Sequence, residues 1–348
     1  ARYAWLRNKL NLDTSVFPYD GDVDYLALKK IIDPGAFYLV FPTGYMKKPA
    51  SMFGHTFLLV EAKNKNRLLS HALNYGAIAD KSPGLLFVIK GLIGAYPGYY
   101  SYLPYYQKIQ EYGDMDMRDM WEYKLDFTDE EGDRFLRHAI EMSNIYSDYY
   151  YISENCSYNI MFLIEAAKPE TKATDQFGYI VEPIATVKLM DRLGLTDGVT
   201  YRPSLYSKIK YRMSLLSSKE RAYVKAVCLG KKTTTDFSFT DMDAPKEAEL
   251  WDLASDYLKF LLSSGKITSS DYRKRIIAVL SARKNLGKID VASDPPIPAQ
   301  PQKAHGSSRI DLTAGNDIQG GYAEIGYRLA AHEIMDIDPG YTRNSQLV

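Results

Sequence analysis

The stretch Ser153-Glu154-Asn155-Cys156-Ser157-Tyr158 stands directly before an apolar run at residues 160–164. Asn155 is a residue type that caps helix N-termini, because its side-chain oxygen accepts unsatisfied backbone N–H groups. The pattern predicts a helix that begins at Cys156 and runs to about Ala167, shortly before Pro169. Cys156 then takes the first helical position, where the partial positive charge of the helix N-terminus stabilises a thiolate.

Two interpretations of Cys156 are equally open on position alone. As a nucleophile in acyl transfer, it would have helix N–H groups beside it to bind the oxyanion. As a small buried residue, it would only fill space next to the helix cap. Cys228, the other cysteine, lies between Val227 and Leu229 in a helical pattern, which favours structural burial. One pair of cysteines in 348 residues is not a disulfide framework.

A thiolate nucleophile needs a base that titrates near neutral pH, and histidine does this best. His55 follows Gly54 in a predicted strand, and His71 lies on the next predicted strand. Asn74 is the kind of amide that fixes the tautomer of a catalytic histidine. If His55 and Asn74 project from one face of paired strands and Cys156 approaches on its helix, a Cys-His-Asn arrangement results.

Three histidines are weaker candidates for the base. His138 lies in the middle of an amphipathic helix, where a solvated or hydrogen-bonded histidine is the usual case. His305 and His332 follow a Pro-rich segment and are not expected to reach Cys156.

Composition and turn signals predict the other elements. The predicted strands are rich in aromatic and β-branched residues and cover residues 36–42, 53–60, 67–75 and 118–127. Thr128 and Glu131 form a capping-box pattern that opens a helix. Apolar spacing predicts a small antiparallel helical bundle at residues 219–229, 245–262 and 269–286. Residues 322–327 resemble a strand.

Residues 82–106 are apolar and rich in Gly, Pro and Tyr, and they follow neither the helical nor the strand period. Such a segment often covers a site, although a buried irregular connection is about as good an interpretation. If it forms an acyl or membrane-facing groove, Leu85, Leu86 and Phe87 are expected to contact lipid.

The overall composition excludes some functions and favours others. The chain has 43 basic and 43 acidic residues, so there is no field to attract nucleic acid. Its 29 tyrosines suit sugar, interface or membrane-surface contacts, although a Tyr-rich core and surface is a slightly better explanation. No apolar run approaches a membrane-spanning length. The chain begins at Ala1, which is expected after removal of a signal peptide or for an internal start.

A metal site or a cofactor site would be the main alternative to thiol chemistry. The sequence contains no C-x-x-C, H-E-x-x-H, P-loop, G-x-G-x-x-G or G-x-S-x-G pattern. His332-Glu333 is followed by Asp336 where a zinc protease would need a second histidine. We therefore expect neither a metal site nor a cofactor.

Four blocks in order resemble the Lnb N-terminal periplasmic domain family over roughly residues 35–170. They are Ser51-Met52-Phe53-Gly54-His55-Thr56-Phe57-Leu58, Leu73-Asn74-Tyr75-Gly76, Lys90-Gly91-Leu92-Ile93-Gly94 and Glu154-Asn155-Cys156-Ser157. The sequence His305-Gly306-Ser307-Ser308-Arg309 is also similar to the motif that precedes a C-terminal β-rich region in Gram-negative members.

The resemblance implies a circularly permuted papain-like fold, related to the NlpC-type and lecithin:retinol acyltransferase groups. It implies Cys156 as the nucleophile, His55 as the base and Asn74 as the third polar residue, with His71 as the alternative. Namesake members are implicated in N-acylating lipoproteins through a thioester. Supporting or oxyanion roles are assigned to Asn155, Ser157, His71 and Tyr75.

The sequence thus predicts an α+β protein with a permuted papain-like core and an antiparallel sheet, then a helical bundle and a truncated β-rich tail. The expected regions are a mixed N-terminal segment, the catalytic domain, the helical domain, a Pro-rich linker and the start of a C-terminal β-rich domain, at residues 1–35, 36–204, 205–290, 291–303 and 304–348. The namesake proteins carry membrane helices after this domain, whereas this chain is expected to have a helical bundle and an unfinished β-rich tail, so its substrate can differ.

We expect a periplasmic, outer-membrane-associated acyltransferase or hydrolase that acts on membrane lipid or lipoprotein, with no nucleic-acid partner. A peptidase or amidase acting on peptidoglycan is the first alternative. A non-catalytic outer-membrane module with Cys156 far from His55 is the second. The sequence leaves the oligomeric state open.

Overall fold

A computed structural model gives the fold. The residues that it describes are 2–13, 15–18, 22–44, 54–64, 66–80, 82, 84–236, 242–291, 294–306, 308–328, 332–333, 336–337 and 339–341. The chain divides into two compact units. The first comprises Ala1–Lys108, Trp121–Thr200 and Pro298–Val348, and the second comprises Ile109–Met120 and Tyr201–Ile297.

The first unit is built on a seven-stranded sheet. In chain order its strands are β1 (Pro34–Pro42), β2 (Phe57–Ala62), β3 (His71–Ala77), β4 (Tyr96–Pro104), β5 (Met120–Leu125), β6 (Tyr146–Tyr149) and β7 (Thr196–Arg202). Their order across the sheet is β6-β4-β3-β2-β1-β5-β7. The pairs β1–β2, β2–β3, β3–β4 and β4–β6 are antiparallel. The predicted antiparallel sheet and the mixed α+β class are therefore confirmed.

The central strands form the core of this sheet. Leu39, Val40 and Phe41 of β1 have no exposed surface, and Phe57 and Leu59 of β2 have none either. Continuous apolar runs of this kind are typical of strands that are covered on both faces. Burial of each such side chain contributes about 1.5 to 3 kcal/mol, so β1 and β2 give the neighbouring polar residues a stable support.

The helices, in chain order, are α1 (Arg2–Leu10), α2 (Asp22–Ile32), α3 (Gly84–Leu92), α4 (Tyr105–Lys108), α5 (Asp129–Met142), α6 (Cys156–Ala167), α7 (Pro183–Arg192), α8 (Leu205–Ser214), α9 (Ser218–Cys228), α10 (Ala244–Ser263) and α11 (Ser269–Asn285). The capping box predicted for α5 is confirmed, because the Thr128 side chain accepts the Glu131 N–H and the Glu131 side chain accepts the Thr128 N–H. The helix predicted to begin at Cys156 and end near Ala167 is α6.

Two of the predicted strands begin four residues before the corresponding strands of the structure. The second strand begins at Phe57, so His55 precedes it, and Gly54 just before His55 turns the chain with a φ of 101° in the left-handed region. In the third segment, Arg67–Leu69 forms a short 3₁₀ helix before β3. The Asn66 side chain accepts the Leu68 N–H and favours this turn over an extended chain.

The prediction that residues 82–106 are irregular is wrong, because α3 and β4 lie within them. The glycines and proline that suggested breaks have local roles. An added Cβ at Gly91 would lie 2.2 Å from the Tyr151 ring, and one at Gly94 would lie 2.4 Å from the Tyr150 ring. These glycines therefore allow aromatic rings to pack closely against α3 and the turn that follows it.

The second unit has a helical core formed by α8, α9, α10 and α11. Trp251 and Leu258 of α10 are buried with Val224 and Cys228 of α9 and Val279 of α11. The helices predicted at residues 219–229, 245–262 and 269–286 correspond to α9, α10 and α11, with ends that agree within one residue.

A separate two-stranded antiparallel sheet lies in the C-terminal part of the first unit. It consists of β8 (Arg309–Asp317) and β9 (Gly320–Arg328), and Arg309 pairs with Arg328 at its open end. The strand predicted at residues 322–327 is part of β9. Both strands expose most of their side chains on both faces.

Candidate active site

Asn155 fixes the start of α6 with all four hydrogen-bonding positions of its amide. Its Oδ1 accepts the N–H groups of Ser157 at 2.9 Å and Tyr158 at 3.3 Å. Its Nδ2 donates to the carbonyl oxygens of Tyr151 at 3.2 Å and Val181 at 2.6 Å. This buried residue, predicted as a supporting group, therefore positions Cys156 by joining the helix start to two neighbouring segments.

Gly54 brings His55 back to the end of β1. The His55 N–H donates to the Pro42 carbonyl at 3.3 Å, and a Cβ at Gly54 would lie 2.6 Å from the Phe41 ring. Its positive φ and this close approach both require glycine. The first part of the block at residues 51–53 lies outside the described residues.

Asn74 is the polar residue that contacts His55. The His55 Nε2 lies 2.6 Å from Asn74 Oδ1. An amide oxygen only accepts, so Nε2 carries the proton and Nδ1 is left for the thiol. His71, the alternative, starts β3 three residues earlier. Since strand side chains alternate between faces, His71 and Asn74 project to opposite sides of the sheet.

Cys156 has the electrostatic character of a reactive thiol. Burial raises the pKa of the Cys156 thiol, but the charge and hydrogen bond of His55, the Thr56 backbone N–H and the Tyr149 hydroxyl lower it, and the result is about 6. Cys228 shows the opposite behaviour. Burial raises the pKa of its thiol to about 12, and its Sγ donates to the Ala254 carbonyl at 3.4 Å. The two buried cysteines therefore differ in their charged neighbours and not in their exposure.

Tyr149 is a site residue that sequence analysis missed. Its hydroxyl oxygen accepts the Cys156 N–H at 3.0 Å, and the same hydroxyl hydrogen-bonds the thiol. Burial raises the pKa of Tyr149 well above its ordinary value, and the nearby Cys156 raises it further. Tyr149 therefore remains a neutral hydrogen-bond donor at any physiological pH.

The helix N–H groups beside Cys156 all have protein acceptors in this state. Those of Ser157 and Tyr158 are bound by Asn155, and that of Cys156 is bound by Tyr149. An oxyanion would reach the Cys156 N–H by taking the place of the Tyr149 oxygen. The predicted oxyanion role of the helix start is thus linked to the position of Tyr149.

Tyr75 and Ser157 support the site from either side. The Tyr75 ring stacks on Tyr149 at 5.7 Å with 15° between the planes, and its hydroxyl lies 2.6 Å from Ser147 Oγ. Ser157 Oγ accepts the Thr56 hydroxyl at 2.9 Å and lies 3.8 Å from Cys156 Sγ. Ser157 therefore joins α6 to the segment that carries His55.

The fold and the site define a mixed α+β domain with a buried cysteine of lowered pKa at a helix start, beside a His–Asn pair from adjacent strand segments. Residues 24–192 match the family model of the Lnb N-terminal periplasmic domain. Residues 199–295 and 298–348 match two families, each described only as a domain of unknown function (DUF7842 and DUF7840). No curated protein and no solved structure matches the chain.

The family description agrees with the predicted location in the periplasm. Among the helices of the described residues, none combines the length and the apolar character that crossing a membrane requires.

Proposed function

We propose that this chain is a cell-envelope acyltransferase or hydrolase that works through a thioester on Cys156, with phospholipid or lipoprotein acyl groups as substrate. The observation that carries the proposal is the position of Cys156 at the start of α6 beside His55, whose Nε2 lies 2.6 Å from Asn74 Oδ1 and whose charge lowers the pKa of the buried thiol to about 6. A thiol with this pKa is mostly thiolate at neutral pH, and the thiolate is the nucleophilic form.

In the acylation step, the Cys156 thiolate attacks the acyl carbonyl carbon and a C–S bond forms while the carbonyl oxygen becomes an oxyanion. The Cys156 N–H and the Tyr149 hydroxyl are the donors available to this oxyanion. When the intermediate collapses, the bond to the leaving oxygen or nitrogen breaks. His55 gives its proton to the leaving group and becomes neutral.

In the second step, water or an amine attacks the thioester, and His55 takes the proton that the attacking group loses. The C–S bond breaks and the thiolate of Cys156 returns. Asn74 keeps the proton on His55 Nε2 throughout, so that Nδ1 serves as the base in this step and the acid in the first. Attack by water makes the enzyme a hydrolase, and attack by a lipoprotein amine makes it an acyltransferase.

The chain order of the site supports a circularly permuted papain-like core. His55 precedes β2, Asn74 lies in β3, and Cys156 follows later at the start of α6. In papain-like enzymes of ordinary order the cysteine helix comes first, so this order fits the permuted arrangement that the sequence resemblance implies.

The surface of α3 supports a lipid substrate. Leu85 is 75% exposed, Ile93, just beyond the helix, is 65% exposed, and Leu86, Ile89 and Leu92 are also exposed. A contiguous apolar surface of this kind marks a contact with a partner or a membrane. The Tyr151 N–H donates to the Gly91 carbonyl at 2.9 Å, so α3 is joined to the segment that leads into Cys156.

Phe87, expected to contact lipid, does not belong to this surface. Its ring packs against Tyr96 at 5.7 Å and Tyr151 at 5.6 Å. Substitutions that test lipid contact therefore belong at Leu85, Leu86 and Ile89.

The decisive experiment is a search for the acyl-enzyme by intact mass spectrometry after incubation with phospholipid vesicles or a triacylated lipopeptide. We expect a hydroxylamine-sensitive adduct in wild type and in Cys228→Ser, and none in Cys156→Ala or His55→Ala. Absence of the adduct with every donor, or its persistence in Cys156→Ala, would refute the proposal. Cys156-dependent cleavage of peptidoglycan fragments without any lipid adduct would favour the amidase.

A second experiment tests the lipid surface separately from chemistry. The variant Leu85→Ser/Leu86→Ser/Ile89→Ser should bind vesicles at least about tenfold more weakly, since each exposed apolar side chain inserted in lipid contributes about 1 kcal/mol or more. Ile277→Ser/Leu280→Ser removes exposed apolar groups from α11 and serves as the matched control. Equal binding by both variants would remove α3 from the proposal.

A further inference from the structure

A second cluster of ligating side chains lies at the open end of the β8–β9 sheet. We call His305, His332 and Asp336 the hairpin-base cluster. His305 Nε2 lies 2.9 Å from His332 Nδ1 and 3.8 Å from Asp336 Oδ2. One ligand atom from each residue lies within 4.8 Å of the others. Two nitrogen ligands on a tetrahedral zinc ion are about 3.3 Å apart, so the observed spacing is close to that of a metal site.

The ring of His305 has the tautomer that metal binding needs. Its Nδ1 lies 2.7 Å from the Gly306 carbonyl oxygen, which can only accept, so Nδ1 carries the proton. Nε2 therefore presents its lone pair to the centre of the cluster. Metal-binding histidines usually hold their second ring nitrogen in this way, with the N–H donated to a carbonyl or carboxylate.

The other two ligands are also held in place. Asp336 Oδ2 accepts the Glu333 N–H at 2.8 Å. His332 is fully buried, and the Tyr341 ring stacks on it at 4.2 Å with 4° between the planes. Such outer contacts fix the orientation of ligands before an ion arrives.

The position of the cluster gives the ion a function. His305 precedes β8 by four residues and His332 follows β9 by four, while Arg309 and Arg328 pair at the open end of the sheet. An isolated two-stranded sheet is marginally stable. A metal bound by both histidines would close the loop that contains both strands and hold its base together.

We propose that the hairpin-base cluster is a binding site for a divalent transition metal ion of the zinc class, which staples the base of the β8–β9 sheet. Two imidazole nitrogens and one carboxylate are ligands suited to Zn²⁺ and its neighbours. On binding, the proton between His305 Nε2 and His332 Nδ1 moves to His332 Nε2, so that both rings bind the ion as neutral imidazoles. Three protein ligands leave one position for water or a further ligand.

Calorimetric titration of the chelator-treated full chain with Zn²⁺ tests the site. We use the Cys156→Ala/Cys228→Ser chain, because the two free thiols also bind zinc. One ion should bind per chain, and His305→Ala should weaken binding by at least about 100-fold and Asp336→Asn by at least about tenfold. His138→Gln removes a histidine of α5 and should leave the affinity unchanged.

Absorption of bound Co²⁺ provides a second measurement. We expect visible d–d bands of nitrogen and oxygen coordination in the Cys-free chain and their loss in His305→Ala. We also expect Zn²⁺ to slow tryptic cleavage after Arg309 and Arg328, at the base of the β8–β9 sheet, only when His305 is present. The proposal is overturned if the Cys-free chain binds no ion, or if binding survives His305→Ala in a chain with unchanged circular dichroism.

Discussion

Replacing His55 with alanine should raise the pKa of the Cys156 thiol from about 6 to above its ordinary value of 9.0. Burial is the largest influence on this pKa and raises it, whereas the charge of His55 is the largest influence that lowers it. The Thr56 N–H and the Tyr149 hydroxyl remain in the variant. Hydrogen bonds from two neutral groups are weaker than the imidazolium charge and do not offset burial.

The size of the expected change in the pKa of the Cys156 thiol decides which measurement to make. At pH 7 a thiol of pKa about 6 is roughly nine-tenths thiolate, and one of pKa about 9 is roughly one-hundredth thiolate, a ratio of about 90. A thiolate of higher pKa is also the stronger nucleophile, by about 20-fold over three units. The alkylation rate at pH 7 therefore falls only about fourfold, while the titration midpoint moves by about three units or more.

The assay is thiolate absorbance in the far ultraviolet as a function of pH, recorded in the Cys228→Ser background. It needs no reagent to enter the site, which matters because both cysteines are buried. A midpoint near 6 that survives His55→Ala, or a wild-type midpoint near 9, would show that our account of the site is wrong.

Three further predictions concern stability, each measured by urea denaturation. Asn155→Ala should lower the free energy of unfolding by about 2 to 3 kcal/mol, because it removes a helix cap and leaves buried carbonyls without donors. Gly98→Ala places a Cβ 2.2 Å from the Tyr75 hydroxyl and should cost about 1 to 3 kcal/mol. Burial raises the pKa of Asp133, but Lys29 and two other donors lower it to about 2. This carboxylate therefore stabilises the fold above its unfolded pKa near 3.8, and its contribution disappears as pH falls through 2. Asp133→Asn should accordingly cost about 1 kcal/mol at pH 7, after allowance for solvent screening, and almost nothing at pH 2.

Each of these variants has a matched control in the chain. Ser217→Ala removes the exposed cap of α9, so an Asn155→Ala loss no larger than this would contradict the role of burial. Gly178→Ala adds a methyl group where nothing lies within 4 Å, and a Gly98→Ala chain as stable as this one would remove the steric argument. Asp175→Asn removes an exposed carboxylate and should leave the free energy of unfolding unchanged at both pH values. A loss for Asp133→Asn that is the same at pH 2 and pH 7 would exclude the electrostatic explanation.

The elements that sequence predicts well are those with local signals at their ends. The start of α6 follows from Asn155, and that of α5 follows from the Thr128–Glu131 pair. The error at residues 82–106 has a tertiary cause. Gly91 weakens the helical pattern of α3 but is required by the Tyr151 ring, which is 60 residues away in the chain. Contacts of this kind leave no periodic trace in the sequence.

The residues of the candidate site also divide into those with a signal in the sequence and those whose role depends on tertiary contacts. Cys156, His55 and Asn74 carry recognisable chemistry, and the structure brings His55 and Asn74 into contact. Tyr149 has no such signal, because its role depends on a hydrogen bond to a backbone N–H and on stacking against Tyr75. The expectation of no metal site came from the lack of compact motifs, whereas His305 and His332 are separated by 27 residues and meet only because β8 and β9 pair.

Tyr149 gives the proposed chemistry a reason to favour the transition state over the resting enzyme. In the resting state its hydroxyl interacts with both the Cys156 N–H and the sulfur. When the sulfur attacks, its negative charge passes to the carbonyl oxygen, and the two donors lose their previous partners as the oxyanion forms. Only the Tyr149 hydroxyl bonds the negative charge before the transfer, whereas the Tyr149 hydroxyl and the Cys156 N–H both bond it afterwards. Because binding that follows the charge accelerates a reaction while binding of the substrate alone does not, a buried neutral tyrosine suits this position better than a fixed cation.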